Sequence, residues 1–357
     1  MTAVAPPPVL QSRSLEGIAC VVVSMTLFVG QDIMMKSLLA LHPVWVLIAA
    51  RGVMAVLILG PMVAVLGGPH RLWTPLWPLH LARAALFASG FAAFYAAFPF
   101  MPLAKISTIF FSAPLMIAAM AALWLGETIG PHRIGALVVG FFGVLVAMNP
   151  FGEAFDWIAV LPLFCAASYA LSQILARRIG DRETTLTTGL FTVGFSGVLI
   201  VPTGWIVAHT LPLGPEFRHL GWDWSIASPG QVASLAALGA LGMVAYMLAS
   251  RAYQIASASL VAPFDYTYLP LAAVAAYLFW GEVPANTTLA GMAMIVAAGL
   301  YLGYRELVNR GDSTSALPVA EAVVAPGNPV APLSIMAEMP DAADAAGAAM
   351  DRGRPAG

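Results

Sequence analysis

Charged residues, cysteines and catalytic signatures are all scarce in this chain of 357 residues. Charged residues make up 10% of it, against roughly 25% in soluble domains, and the mean hydropathy is +0.85. A net charge of −2 excludes the basic field of a nucleic-acid-binding protein. The two cysteines, Cys20 and Cys165, lie in apolar runs without a spaced cluster, so we expect buried thiols and neither a disulfide framework nor a zinc site.

Signatures of hydrolases and of nucleotide-driven pumps are absent from the sequence. It contains no H-E-x-x-H, no G-x-S-x-G and no G-x-x-x-x-G-K-[ST]. All six histidines are expected at helix ends or in loops, and they are His42, His70, His80, His132, His209 and His219. We therefore predict no catalytic residues, no metal site and no cofactor, and we do not expect ATP-driven transport by this chain alone.

Long apolar runs are what the chain has in abundance. Ten follow one another between Gly17 and Tyr304, most near the ~20 residues with which a helix crosses a ~30 Å hydrocarbon core. Because backbone polar groups must be satisfied within a lipid-embedded segment, each run is predicted to be a helix. The predicted spans are 17–39, 44–66, 81–100, 106–125, 134–148, 157–175, 186–208, 231–252, 260–280 and 288–304.

The segments outside these runs divide the chain into four parts. Residues 1–15 are proline-rich and weakly charged, and we expect a cytoplasmic N-terminus without a cleavable signal peptide. Residues 16–150 and 151–306 each hold five predicted helices. Residues 307–357 become a tail of Ala, Pro and acidic residues that is predicted to be disordered and cytoplasmic. The longest internal loop, about 210–230, carries Pro, Trp and charge and is expected at the membrane surface.

Lysine and arginine are distributed unevenly between the two sides of the predicted bundle. With the N-terminus in the cytoplasm, three of them are expected outside, namely Lys36, Lys105 and Arg218. Ten are expected inside, and they are Arg13, Arg71, Arg83, Arg133, Arg177, Arg178, Arg182, Arg251, Arg305 and Arg310. Since cytoplasmic loops are enriched in these residues, we predict a multi-pass protein of the inner (plasma) membrane with both termini in the cytoplasm.

The two halves of the chain carry an internal repeat. The matched positions are Asp32 with Gln173, Lys36 with Arg177 and Pro61 with Pro202 at an offset of 141, and Gly126-Glu127 with Gly281-Glu282 at an offset of 155. Because each half holds an odd number of helices, the second half enters the membrane upside down. Inverted repeats of this kind are typical of secondary transporters, whose two halves rock about a shared site at mid-membrane. A duplication that builds only a scaffold is the alternative.

These features together resemble the drug/metabolite transporter superfamily, of the EamA type. The resembling segments are 30–36, 49–52, 114–127, 262–267 and 281–282, within a similarity that spans about 16–304. The resemblance implies an all-α polytopic bundle of ten transmembrane helices, arranged as two inverted five-helix repeats around a central cavity, that carries small organic metabolites without ATP. The patterns of the first and ninth helices look most like a subgroup with riboflavin and S-adenosylmethionine carriers.

Asp265 is the leading candidate for substrate binding. An ionisable group inside a membrane helix costs about 3 kcal/mol on insertion scales and usually faces a cavity. Pro263 and Pro270 flank Asp265 and are predicted to kink its helix, which would leave polar backbone to line a cavity. Tyr268, three residues on, is expected on the same face, and an aromatic ring beside a carboxylate suits a planar or cationic ligand. The alternative is a structural hydrogen bond or ion pair.

Polar residues in other helices are further candidates. Asp32 is one turn from Lys36, and it is expected to contact substrate, carry a proton or neutralise Lys36, which could instead extend to water. Arg51 offers a fork of donors to an anionic substrate group, or it pairs with Asp32 or Asp265. Side chains in the third, sixth and eighth helices are candidates for lining the cavity or bonding a neighbouring helix, and they are Tyr95, Tyr169, Gln173 and Tyr246.

The predicted function is therefore secondary active transport of a small organic metabolite by alternating access. The expected partners are the lipid bilayer, the small-molecule substrate and, where protonation of Asp32 or Asp265 supplies coupling, protons. Two alternatives belong to other classes of protein: a non-transporting scaffold or partner subunit of a membrane complex, and an intramembrane enzyme that acts on lipid. Gly126-Glu127 and Gly281-Glu282 are interpreted as helix ends, and glycines such as Gly143 and Gly242 as sites of close helix packing.

Overall fold

A computed structural model describes residues 8–67, 72–125, 130–150, 157–179, 182–212, 214–226, 228–256 and 258–308. In this part of the chain the secondary structure is helical. The helices are α1 (Pro8–Leu38), α2 (Val44–Leu66), α3 (Trp77–Ala96), α4 (Leu103–Phe110), α5 (Ala113–Leu125), α6 (Pro131–Met148), α7 (Val160–Ile179), α8 (Thr185–Thr210), α9 (Pro229–Ile255), α10 (Ala258–Val261), α11 (Tyr268–Trp280) and α12 (Asn286–Val308). Gly126, Glu127, His70, Arg71, Arg310 and residues 309–357 lie outside the described residues.

Nine helices of the described chain are long and apolar enough to cross a membrane. They correspond to nine of the ten predicted spans, with α4 and α5 forming one of them. The third span was predicted to start at Leu81, but α3 begins at Trp77, with Pro78 in its first turn where no backbone N–H donor is needed. Large apolar side chains such as Val65 and Leu123 project outward over the bundle surface, as lipid contact requires.

The remaining predicted span, 260–280, is a broken helix. It consists of α10, a 3₁₀ segment over Ala262–Thr267 and α11. Pro263 lies in the first turn of the 3₁₀ segment, which agrees with the predicted kink. The repeat-related pair α4 and α5 is likewise interrupted, at Phe111 and Ser112. At the repeat offset of 155 these two positions correspond to residues 266 and 267, so the two halves break their helices at matching points.

Helix packing follows the same internal symmetry. α2 packs on α8 and α6 on α12, and each of these is a pair of repeat-related helices. α1 packs on α9, and its repeat-related counterpart, α7, packs on α3. α1 also contacts α11, as α7 contacts α5. The interior of the bundle is therefore built from contacts between the two repeats. We define the amino-terminal side as the side of the membrane where α1 begins, and the far side as the one where it ends.

Glycines allow the repeat-related helices to approach closely. A Cβ atom added to Gly52 of α2 would lie 2.6 Å from the Cα of Gly197 in α8. One added to Gly143 of α6 would lie 3.0 Å from the backbone oxygen of Gly291 in α12. One added to Gly242 would lie 2.5 Å from the Gln31 side chain, so the predicted role of Gly143 and Gly242 in close packing is confirmed.

The far-side loop between α8 and α9 packs down onto the bundle. It contains a 3₁₀ helix, Pro215–Leu220, whose Leu220 carbonyl accepts a hydrogen bond from Trp45 Nε1 at 3.1 Å. His219 Nε2 donates to the carbonyl of Ala96 at 3.0 Å. These contacts tie the loop to the far-side ends of α2 and α3. It therefore caps helices of the first repeat although it belongs to the second half of the chain.

Gly281 ends α11 as the sequence predicts. Its φ of +66° places it in the left-handed region, where glycine has no Cβ to clash. The N–H of Gly281 bonds the carbonyl of Tyr277 at 2.9 Å, and that of Glu282 bonds the carbonyl of Ala276 at 3.2 Å. The bond from Gly281 is the 5→1 bond of an αL C-cap. The cap also fixes where the Glu282 carboxylate leaves the helix.

Candidate functional site

A buried carboxylate of α1 lies at the centre of a polar cluster formed by four helices. The Asp32 side chain is fully buried, and its Oδ2 accepts a short hydrogen bond from the hydroxyl of Tyr268 in α11. Its Oδ1 is 3.4 Å from the donating hydroxyl of Tyr95 in α3. Asp32 therefore connects α1 and α3 of the first repeat to α11 of the second.

Arg51 of α2 reaches this carboxylate through intermediates. Its Nη1 donates to the Tyr95 hydroxyl at 2.8 Å, and the same hydroxyl donates to Asp32. With the Gln31 amide oriented so that its oxygen faces the guanidinium, that oxygen accepts from Arg51 Nε at 2.8 Å and from Nη2 at 3.1 Å. The pairing of Arg51 with Asp32 expected from the sequence is thus bridged by Tyr95. We call Asp32, Gln31, Arg51, Tyr95 and Tyr268 the Asp32 cluster.

Aromatic rings surround the Asp32 cluster. Phe111, at the interruption between α4 and α5, stacks on Tyr268 with ring centroids 5.5 Å apart and an interplanar angle of 29°. Phe91 and Phe98 contact the Tyr95 ring at centroid distances of 6.0 and 5.1 Å. The two helix breaks thus meet beside the buried carboxylate. Aromatic faces next to a carboxylate and a guanidinium suit a planar ligand with polar edges.

Asp265 occupies a second polar region, in the 3₁₀ segment between α10 and α11. Its Oδ2 accepts a hydrogen bond of 2.7 Å from the hydroxyl of Tyr253 in α9, and its side chain is 3% exposed. Tyr169 of α7 lies close enough for an electrostatic interaction with both Asp265 and Arg83. Tyr268 was expected to share a face with Asp265, but its hydroxyl reaches Asp32. The structure thus divides the predicted site residues between two regions.

The remaining candidates make contacts between and within helices. Gln173 Nε2 donates to the Tyr169 hydroxyl at 2.6 Å, one turn away on α7. The Tyr246 hydroxyl of α9 donates to the carbonyl of Thr185 at 2.7 Å, at the start of α8. All three side chains are at least 98% buried. For Tyr246, the contact with Thr185 favours the predicted bond to a neighbouring helix over the alternative that Tyr246 lines the cavity.

Arg83 and His80 differ from their predicted positions. Both were expected at the membrane interface, because the predicted helix began at Leu81. Both side chains are instead fully buried in α3. Arg83 Nε donates to the carbonyl of Ser172 in α7 at 3.0 Å. Arg83 is therefore part of the bundle interior. Without Arg83, more Lys and Arg residues are still expected on the amino-terminal side than on the far side, so the predicted orientation is unchanged.

His80 belongs to a buried contact that the sequence did not suggest. Its Nε2 is 2.5 Å from Oε2 of Glu183, which precedes α8. The other oxygen of Glu183 accepts a short hydrogen bond from the hydroxyl of Thr74, which precedes α3. The Glu183 side chain is 2% exposed. This contact holds the amino-terminal-side loops of the two repeats together.

Lys36 is paired with Glu282 and not with Asp32. Its ammonium donates a short, charge-assisted hydrogen bond to Glu282 Oε1, just beyond α11. The expectations that Lys36 either neutralises Asp32 or extends to water are therefore both corrected. Asp32 and Lys36 are one helical turn apart, as predicted, but Lys36 pairs with a residue of the second repeat. Glu282, predicted only to end a helix, has this second role.

A cavity of about 440 Å³ opens on the far side. The lining side chains with polar groups are Lys36, His42, Glu216, Arg218, His219, Asp223 and Trp280. Burial lowers the pKa of His219, so its ring is neutral at neutral pH. Hydrogen bonds from Ser225 hold the pKa of Asp223 below its usual range. The cavity thus presents a mixed-charge surface above the bundle interior.

Among the described residues there is no group of three or more His, Cys, Asp or Glu side chains placed to hold a metal ion. What the Asp32 cluster offers chemically is binding and proton exchange. A carboxylate with two phenolic donors can hold a cationic or hydrogen-bonding ligand, or it can take up a proton in place of one donor. Gln31, Arg83, Glu183 and Tyr253 were missed as interior polar residues. Gln31 and Arg83 each had a sequence signal, because both are polar residues inside predicted apolar runs, 17–39 and 81–100.

Comparison with known proteins gives these features a context. The chain is 29% identical over 230 residues to the riboflavin transporter of Rhizobium johnstonii, covering 64% of this chain and 70% of that one. It is 26% identical over 228 residues to the S-adenosylmethionine uptake transporter of Rickettsia felis, covering 64% and 72%. It is 26% identical over 229 residues to the pseudopaline exporter of Pseudomonas aeruginosa, covering 63% and 74%.

The match to a protein family extends over both halves. The model of the EamA-like transporter family matches residues 15–149 and again residues 156–304. Each match covers five of the ten apolar runs, and together they include all of the residues of the Asp32 cluster as well as Asp265. The chain is thus a polytopic membrane protein of about ten helices, with two matched halves and helix breaks at corresponding positions. It belongs to the EamA-like transporter family.

Proposed function

We propose that this membrane transporter is a secondary active carrier that moves a small organic metabolite by alternating access, and that the Asp32 cluster is its central binding site. The observation that carries the proposal is the contact between Asp32 of the first repeat and Tyr268 of the second, deep in the bundle. A site shared by two inverted repeats can face either side as the repeats rock. The helix breaks beside it support this role, because interrupted helices line substrate sites in such transporters.

The substrate class proposed is a planar or partly planar metabolite with hydrogen-bonding and charged groups. Phe111 and the ring of Tyr268 offer faces for stacking, and Asp32 with Arg51 offers one acceptor and one donor group of opposite charge. Relatives named as riboflavin and S-adenosylmethionine transporters support compounds of these kinds as the first candidates. Because relatives are named for uptake as well as for export, both directions of transport belong to the proposal.

Other predicted site residues enter the proposal in a secondary role. Asp265 and Tyr169 extend the polar interior beyond the Asp32 cluster toward Arg83, and Gln173 adjoins Tyr169. A substrate longer than one ring system would span both regions. Tyr246 is retained only as a residue that supports the α8–α9 contact. No role in chemistry on the substrate is proposed for any of them, so the protein is not proposed to be an enzyme.

Proton coupling is part of the proposal. A buried carboxylate that exchanges a phenolic hydrogen bond for a proton changes charge inside the membrane, and this couples its conformation to the proton gradient. Asp32 fits this role because its bond to Tyr268 joins the two repeats. Asp265 is the second proposed carrier. The substrate's own gradient is the alternative driving force, and uptake that is insensitive to pH and to membrane potential would rule out coupling to protons.

The proposed location is the inner (plasma) membrane, with the amino-terminal side in the cytoplasm. The excess of Lys and Arg on that side supports this orientation. The far-side cavity would then open to the outside. Labelling of a cysteine introduced at the exposed residue Arg218 by an impermeant reagent, in intact cells, tests the orientation directly.

The experiment for the proposed function is uptake by purified protein in proteoliposomes. Labelled riboflavin and S-adenosylmethionine are supplied separately, and protein-free liposomes serve as the blank. Saturable uptake of either compound, reduced about a hundredfold in D32N, is the expected result. No saturable flux in either direction for these compounds or for a wider metabolite mixture would reject the transporter mechanism in favour of a scaffold.

A further inference from the structure

Three chain segments converge on one ion pair at the far side of the bundle. Lys36 of α1 donates to Glu282, which follows α11, and also to the carbonyl of Met101 at 3.3 Å. The second oxygen of Glu282 accepts from the backbone N–H of Leu103 at 3.1 Å. The Lys36 ammonium is 4.9 Å from the centroid of the Trp280 ring, within the range of a cation–π contact. We call Lys36, Glu282, Trp280 and the 101–103 backbone the far-side clasp.

The clasp lies between the far-side cavity and the Asp32 cluster. Lys36 and Trp280 line the cavity, with about 440 Å³ above them. Asp32 is one helical turn below Lys36 on α1 and is fully buried. A solute that moves from the cavity to Asp32 along α1 therefore has to pass the Lys36–Glu282 pair.

The clasp also joins the two repeats. Lys36 and the 101–103 backbone belong to the first repeat, whereas Glu282 and Trp280 end the last-but-one span of the second. Its side chains are mostly but not wholly buried, with relative exposures of 11% for Lys36 and 21% for Glu282. An ion pair that water can reach is weaker than a fully desolvated one and separates without leaving a buried bare charge. The far-side contact is thus suited to repeated opening.

From this geometry we propose that the far-side clasp is a gate, whose closed form is the paired Lys36 and Glu282 and whose opening exposes the Asp32 cluster to the far-side cavity. The inference rests on the proposed transport function, because a gate has a purpose only in a transporter. The test of the gate measures cysteine labelling and does not require transport. Opening requires that Lys36 leave both Glu282 and the Met101 carbonyl, which frees the ends of α1 and α11 to separate. Trp280 would then face a ligand that enters from the cavity.

A native cysteine reports on the gate without any substrate. Cys165 of α7 is fully buried, and it lies within electrostatic range of Asp32 and Tyr95. In a C20S background it is the single thiol of the chain. Purified protein in nanodiscs is treated with a small cationic methanethiosulfonate reagent, and the rate of Cys165 modification is measured by mass spectrometry. The variants K36Q and E282Q break the pair, K36R keeps its charge, and K105Q alters another far-side lysine.

The gate predicts that K36Q and E282Q each label about tenfold faster than the parent, which corresponds to ~1.4 kcal/mol removed from the closed state. K36R and K105Q label at the parent rate, and the exchanged pair K36E/E282K returns toward it. Each variant must first elute as a single species and label completely when denatured, which separates gate opening from misfolding. Labelling of K36Q and E282Q at the parent rate, with folding intact, would overturn the gate.

Flux measured on the same proteins separates this inference from the proposed function. If the parent carries no compound but K36Q and E282Q still expose Cys165, the gate stands and the transport proposal fails. If the parent carries substrate and these variants neither expose Cys165 nor change flux, transport stands and the gate falls. Faster labelling together with altered flux supports both.

Discussion

Asp32 and Asp265 are both buried carboxylates in membrane-spanning segments, and both accept hydrogen bonds from tyrosine hydroxyls. Their surroundings differ in which repeat supplies the partners. Asp32 of the first repeat is bonded by Tyr268 of the second, whereas Tyr253, the donor to Asp265, belongs to the second repeat as Asp265 does. The contact of Asp32 has to change if the repeats move against each other. The contact of Asp265 with Tyr253 can persist through the same motion.

This difference reverses the order of the two residues as transport candidates. The sequence favoured Asp265 because prolines flank it, and the broken helix at Ala262–Thr267 agrees with that argument. A break, however, can serve flexibility as well as binding. The cluster that combines a carboxylate, an arginine fork and stacked rings lies around Asp32. We therefore expect substitutions in the contact between repeats to affect transport, and those within one repeat to affect mainly stability.

The largest effect is expected from removing the cation of the Asp32 cluster. R51A leaves Gln31, Tyr95 and Asp32 buried without their positive partner, and we expect it to lower the free energy of unfolding by about 3 kcal/mol and to abolish uptake. R251A is the matched control, because Arg251 pairs with Glu16 at the surface at 3.8 Å. It should cost less than about 1 kcal/mol. Thermal unfolding in detergent measures both, and equal losses would refute the central role of Arg51.

Next in size is the effect of the two tyrosine hydroxyls. Y268F and Y253F each delete one hydrogen bond to a carboxylate, and each should reduce stability by about 1.5–3 kcal/mol. Only Y268F should also reduce uptake, by about tenfold, because its hydroxyl bonds the carboxyl group of the proposed site and a tenfold change corresponds to ~1.4 kcal/mol. Initial rates in proteoliposomes, corrected for the amount of folded protein, give the comparison. A similar loss of uptake in Y253F would remove the distinction between the two carboxylates.

The smallest effect on transport is expected at Tyr246. Its hydroxyl bonds the Thr185 carbonyl, a contact within the second repeat. Y246F should lower stability by about 1 kcal/mol and leave the Michaelis constant and maximal rate of uptake unchanged. A raised Michaelis constant with stability unaltered would instead place Tyr246 in contact with substrate.

Much of the fold follows from the sequence, because each membrane helix satisfies its own backbone and is signalled by its own composition. The start of α3 was predicted too late because His80 lowers the hydropathy just before Leu81, although its side chain is buried against Glu183.

The break in the segment 260–280 was predicted as a kink from Pro263 and Pro270. The break lies at Pro263, whereas Pro270 is in the first turn of α11. The interruption at Phe111 and Ser112 lies just before Pro114, which is in the first turn of α5 and has no backbone N–H to continue the helix. The sequence was nevertheless interpreted there as one continuous span, 106–125.

The site was only partly predictable for a related reason. Asp32, Arg51 and Tyr95 were recognisable singly as polar residues in apolar runs. Pairing of Arg51 with Asp32 was one of three interpretations, beside pairing with Asp265 and contact with an anionic substrate group. Which tyrosine meets which aspartate depends on how distant helices pack, and Tyr268 is 236 positions from Asp32. The partner of Lys36 was missed because a residue one turn away on the same helix offered a simpler pairing than Glu282, in the other repeat.

The most direct test of the central role of Asp32 is substrate uptake by D32N and D265N, each reconstituted beside the parent protein. We expect D32N to lose about a hundredfold in initial rate, the upper end of what one charged hydrogen-bonded contact of ~3 kcal/mol supplies. D265N should stay within about tenfold of the parent. Parent-like uptake by D32N, or an equal collapse in D265N with folding intact, would contradict a binding site centred on the contact between the repeats.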